Sequence, residues 1–141
     1  YFARPAPKST GRDLFNLSWL KQHLQAHPDA AAADVQATLL ALTAESTAQA
    51  IRAQKLSAVY LCGGGAENAG LAQAIQQAVG PDTLVQSTLA LGIAPQAVEA
   101  SGFAWLARQR VHETPIPLTR ITGSRHDSIL GAWHKAPARQ R

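Results

Sequence analysis

The 141-residue chain contains no methionine, one cysteine, and few aromatic residues: three Trp, two Tyr and three Phe. The lack of Met, with an opening at Tyr1-Phe2-Ala3-Arg4-Pro5, leads us to expect a piece of a longer polypeptide. A lone Cys62 excludes an internal disulfide framework and says nothing against a reducing cytoplasm. No apolar run approaches the roughly 18 residues of a membrane span, so no membrane partner is expected. No basic, then apolar, then small-residue segment opens the chain, so no signal peptide is read. Charged residues are only 16% of the chain, and no run of five or six like charges occurs.

What is present points to one folded domain's worth of polymer. Hydrophobic residues make up 46%, and alanine fills 28 positions, which favours helix at most of them. Lys and Arg exceed Asp and Glu by 13 to 9, a net charge of +4. The excess gathers late, at Arg108, Arg110, Arg120 and Arg125 and then Lys135, Arg139 and Arg141. Such a surface can attract nucleic acid. Without a basic run it reads better as a solvated end, so no nucleic-acid partner is expected.

Residues 1–16 read as irregular, since Pro5 and Pro7 exclude helix. Ser18 is the expected cap of a first helix with Leu17, Leu20 and Leu24 on its apolar stripe, ending before Pro28. Asp34 is the expected cap of a second helix running to about Gln54, with Val35, Leu39, Leu42 and Ile51 at helical spacing. Ala58-Val59-Tyr60-Leu61-Cys62 changes period and reads as a strand buried on both faces, Cys62 being an inert apolar residue. Gly63-Gly64-Gly65 breaks it. A third helix follows from about Asn68 to Val79, ended by Gly80-Pro81. Thr83-Leu84-Val85 reads as a second strand. Pro95 opens a fourth helix whose buried side is supplied by Val98, Phe103, Trp105 and Leu106. Ile121-Thr122-Gly123 and Ile129-Leu130-Gly131-Ala132 read as short extended pieces. The alternation of helix and strand predicts an α/β fold with two or more parallel strands flanked by about four helices.

The strand–Gly63-Gly64-Gly65-Ala66-Glu67-Asn68–helix turn is the strongest chemical signal. Glycines let a ligand approach the backbone and permit positive φ, and a helix start favours an anion. Phosphate, ribose and an adenine edge all suit it, as does a tight turn with no ligand. A positive φ is expected at Gly64. The turn is neither a P-loop nor a dinucleotide fingerprint, because the residues after Gly65 do not match. Glu99, in the first turn of the fourth helix, can hold sugar hydroxyls or assist a base, or simply complement the helix dipole. His23 and His27 have metal-compatible spacing but no evident third ligand, so no metal site is read. His126-Asp127-Ser128 reads as a polar turn, because neighbouring residues cannot form a triad with one another.

Five stretches, in order, resemble one family. They are Pro7-Lys8-Ser9-Thr10-Gly11-Arg12-Asp13-Leu14-Phe15-Asn16, Asp34-Val35-Gln36-Ala37-Thr38-Leu39, the Cys62–Asn68 turn, Val98-Glu99-Ala100-Ser101-Gly102-Phe103-Ala104-Trp105-Leu106-Ala107, and Thr122-Gly123 with Ile129-Leu130-Gly131-Ala132. Together they are similar to the anhydro-N-acetylmuramic acid kinases, over nearly all of the chain to Ala132. The resemblance implies an actin/hexokinase/heat-shock-70 (ribonuclease-H-like) superfold, of which residues 1–132 are the C-terminal portion of the second lobe and 133–141 a basic tail. It implies ATP and Mg²⁺ as cofactors, and an anhydro-amino-sugar substrate. The reaction it implies is hydrolytic opening of the 1,6-anhydro ring with phosphorylation of the 6-hydroxyl, in cytoplasmic cell-wall recycling by a homodimer. The family's catalytic aspartate, first phosphate loop and Asp-Thr-Gly-Pro motif have no counterpart here, so this chain alone is expected to be inactive.

By the same resemblance, Gly63, Gly64 and Gly65 line the adenosine side of the nucleotide site, with Asn68 closing the turn. Glu99 matches an acidic position near the sugar and the attacking water, as an auxiliary catalytic or substrate-contacting residue. Lys8 and Arg12 remain open between substrate loop, interlobe contact and dimer surface. Departures from the family pattern are Asp13 for Glu, Gly102 for Ala, Ser124 after Thr-Gly, and Trp133-His134 for an aromatic-Pro ending. A different class of reading is a non-catalytic nucleotide-binding or dimerisation module.

Overall fold

The computed structural model describes residues 1–5 and 8–134. Pro7 and the Lys135–Arg141 part of the expected tail lie outside the described residues. The chain divides into two compact units, Phe2 with Thr10–Val98, and Tyr1, Ala3–Ser9 with Glu99 onward.

The first unit holds α1 (Leu17–Leu24), α2 (Ala32–Gln54), β1 (Ala58–Leu61), α3 (Ala69–Val79) and β2 (Leu84–Ser87), with 3₁₀ turns at Gly64–Glu67 and Thr88–Leu91. β1 and β2 pair in parallel, with Ala58 opposite Leu84 and Leu61 opposite Ser87. The α/β class, the parallel pair and the four helices, counting α4 below, are as the sequence predicts. They agree with part of an actin-like ATPase lobe. Ala44 and Ile51 of α2 and Ile75 of α3 form the buried core, and Val59, Leu61 and Val85 pack on it from the sheet. Helices therefore cover one sheet face.

Four expectations in this unit need correction. α1 is capped by Asn16, whose side chain accepts the Trp19 N–H at 3.0 Å, and Ser18 lies inside the helix. α2 starts at Ala32 after Ala31, with no side-chain cap; the alanine run carries the helix back and leaves Asp34 in its first turn. β2 covers Leu84–Ser87 rather than Thr83–Val85, because pairing with β1 sets its limits. β1 is covered on one face only: Tyr60 is 38% exposed, and Cys62 is exposed as well.

One polar residue stitches this unit together. Gln76 on α3 donates through Nε2 to the carbonyls of Gly80 and Thr83, each at 2.9 Å. Its Oε1 accepts the Val85 N–H at 3.0 Å. Thr83 is buried and donates its hydroxyl to the Leu56 carbonyl at 2.8 Å, joining the two strand entries.

The second unit contains most of α4 (Ala97–Val111), the division falling between Val98 and Glu99. The helix begins at Ala97, two residues after Pro95. Phe103 and Trp105 do not form its buried side, being 72% and 47% exposed. At about 100° per residue, Val98, Phe103, Trp105 and Leu106 fall within an arc of about 160°, and only Val98 and Leu106 of them are partly buried. Ile116 is buried and forms an isolated antiparallel bridge with Ser128. The Ile121-Thr122-Gly123 piece is a turn, not extended chain, since the N–H groups of Ile121 and Thr122 both donate to the Leu118 carbonyl. Lys8 Nζ lies 5.2 Å from the centre of the Tyr1 ring.

Candidate functional site

The triple glycine lies where β1 ends, at the carboxyl edge of the parallel pair, the edge at which α/β sheets gather ligands. Gly63 has φ 67° and ψ −168°, a region that side chains other than glycine essentially never enter. Positive φ is therefore required at Gly63, and the expectation of it at Gly64 is corrected. Gly64–Glu67 then forms a single 3₁₀ turn, closed by Ala66 N–H to the Gly63 carbonyl at 3.1 Å. Asn68 closes the turn from the other side. Its N–H donates to the Gly65 carbonyl at 3.2 Å, and its Oδ1 caps α3 by accepting the Leu71 N–H at 3.1 Å. One of the first-turn donors of α3 is thus already satisfied within the chain.

Space above the turn is open. A Cβ built on Gly63 or Gly64 meets no atom within 4 Å, and one on Gly65 meets only Leu71 Cδ2, at an ordinary 3.7 Å. Backbone geometry accounts for glycine at 63. Among the described residues, neither backbone geometry nor packing accounts for it at 64 or 65. A bare turn rising into open space lets a planar or phosphorylated ligand reach the main chain.

Two further bonds hold the turn. Gly63 N–H donates to the Pro95 carbonyl at 2.9 Å, and Gln96 Nε2 donates to Glu67 Oε1 at 3.0 Å. Sequence reasoning assigned no role to Glu67 or Gln96 and read Pro95 only as a helix opener. Their separation of 29 residues leaves no local pattern, so only the fold brings them together.

Glu99 is exposed in the first turn of α4, where its charge complements the helix dipole. Among the described residues no hydrogen bond or ion pair holds it. Gly63, Gly64, Gly65 and Asn68 are brought together in the first unit, while Glu99 belongs to the second. His23 and His27 line a groove of about 670 Å³ between α1 and α2, with Trp19, Val35 and Leu39. His23 Nδ1–H donates to the Trp19 carbonyl at 2.9 Å. Among the described residues no group of three or more His, Cys, Asp or Glu is gathered to hold a metal. No helix is long and apolar enough to cross a membrane, among the same residues.

Comparison with known proteins adds to this geometry. The family model described as anhydro-N-acetylmuramic acid kinase matches residues 1–136. A protein of that name from Burkholderia orbicola (strain AU 1054) is 49% identical over 139 residues, covering 95% of this chain and 36% of the relative. One from Legionella pneumophila (strain Corby) is 46% identical over 134 residues, covering 94% of this chain and 36% of the relative. The chain thus spans about a third of the length of the curated relatives it matches.

Proposed function

Because the chain belongs to the anhydro-N-acetylmuramic acid kinase family, we propose that it supplies the adenosine-binding side of an ATP-dependent sugar kinase. The observation that carries this reading is the glycine turn. It stands at the carboxyl edge of a parallel pair, with open space above Gly63 and Gly64 that packing within the chain does not require. The bare backbone of Gly64 and Gly65 would lie against the nucleoside, and Asn68 would keep α3 in place behind it.

The reaction we assign to the intact protein consumes ATP, water and 1,6-anhydro-N-acetylmuramic acid. Water opens the anhydro bridge, the freed 6-hydroxyl takes the γ-phosphoryl group, and N-acetylmuramic acid 6-phosphate and ADP leave. Positioning and charge neutralisation carry most of the acceleration in phosphoryl transfer. Mg²⁺, when bound with ATP, supplies the neutralisation. The described residues gather no ligand set for it, and we assign none of them to the metal. Glu99 would hold a sugar hydroxyl or orient the attacking water. A cytoplasmic homodimer acting in peptidoglycan recycling completes the proposal.

A non-catalytic nucleotide-binding or dimerisation module is the second reading, since the open glycine turn by itself accounts for binding and not for chemistry. The two separate in one assay. Intact protein, ATP and the anhydro-sugar should yield a product heavier by one water and one phosphoryl group. The isolated 141-residue chain should yield none. No product from the intact protein would leave the module reading, whereas product from the rigorously purified chain would place the chemistry inside these residues.

A further inference from the structure

We infer that Glu67 and Gln96 are positioning residues that hold the glycine turn in its nucleotide-ready shape; this rests on the nucleotide reading above. A run of three glycines has more backbone freedom to lose on ordering than any other tripeptide. A turn that must be ordered anew by each ligand binds more weakly than one already held, because the ordering entropy is charged to binding. Two adjacent residues hold this turn at both ends. The Pro95 carbonyl accepts from Gly63 N–H at 2.9 Å, where the turn begins. The Gln96 amide donates to the Glu67 carboxylate at 3.0 Å, where the 3₁₀ turn ends. Pro95 stiffens the anchor, since its ring fixes φ. The clasp leaves the space above Gly64 clear. Glu67 and Gln96 are both exposed, so neither is needed to fill the core, and their bond acts on the turn.

Exchange of the two partners tests this. In the intact protein, ATP affinity is measured by calorimetry for the parent, Gln96→Ala, Gln96→Glu, and Gln96→Glu combined with Glu67→Gln. Gln96→Ala removes the bond, and affinity should fall about threefold to tenfold, the usual worth of one hydrogen bond. Gln96→Glu sets two carboxylates face to face and should cost at least as much. The exchanged pair restores an amide-to-carboxylate bond in the opposite sense, and affinity should return to within about twofold of the parent. The Michaelis constant for ATP should follow affinity while kcat at saturating ATP stays level. Unchanged affinity in Gln96→Ala, or an exchanged pair as weak as Gln96→Glu alone, would overturn the clasp and leave the nucleotide reading standing. A parent protein that binds no ATP would overturn the nucleotide reading itself, and the clasp with it.

Discussion

At the scale of single residues, the structure separates two glycines that look alike in sequence. Gly63 is fixed by its own backbone angles, whereas Gly64 has ordinary angles and open space above it. A Gly-Gly-Gly run gives no sign of which member carries the strained φ; only the path from β1 into the 3₁₀ turn decides that. Glu99 shows the opposite case. Its place in the first turn of α4 is legible from Pro95 and the helical pattern, and a dipole-complementing role follows from place alone. Its role toward sugar is carried by the family resemblance. Glu99→Gln keeps the shape and removes the charge. We expect the intact variant to fold and to bind ATP as the parent does, with turnover slower by about 10²-fold if the carboxylate helps move a proton. Unaltered kcat at saturating sugar would return Glu99 to the dipole role.

Among elements, those with a strong local signal were legible, and their ends were not. The apolar spacing of Val35, Leu39 and Ile51 specifies α2, but not that it starts at Ala32. Capping by Asn16 instead of Ser18 depends on which of two adequate side chains the incoming loop aims at an N–H. The limits of β2 depend on β1, more than 20 residues earlier, which no local window contains. Gln76 is the largest omission. A glutamine on a helix ordinarily reads as solvated surface, yet this one uses both ends of its amide to close the α3–β2 connection. Gln76→Leu would leave the Val85 N–H and two carbonyls without that partner in a part-buried place. The expected loss is about 1–3 kcal/mol of stability, read as a lower midpoint in denaturant with unchanged slope. A midpoint equal to the parent's would mean that water replaces the amide at no cost.

For the whole molecule, activity is proposed for the intact protein because this chain spans about a third of the length of its relatives, and little of its apolar surface is buried. Among the described residues five hydrophobic side chains are buried, all of them Ala or Ile. Fourteen large ones are exposed, Leu17, Leu89, Phe103 and Ile121 by more than 60% each. Single exposed apolar side chains are ordinary, whereas a contiguous patch of them marks a surface that another part of a protein can cover. Composition and hydropathy, which count residues without placing them, could not reveal this. The central claim is that the glycine turn receives a nucleotide, and Gly64→Val tests it most directly. A Cβ here meets no atom of the described residues within 4 Å, and the valine side chain would stand in the proposed path of the ligand. Calorimetric titration of intact parent and variant with ATP, each checked for the parent's thermal midpoint, should show the variant's affinity lower by at least about tenfold, or 1.4 kcal/mol. Equal affinities in two equally folded proteins would contradict the account.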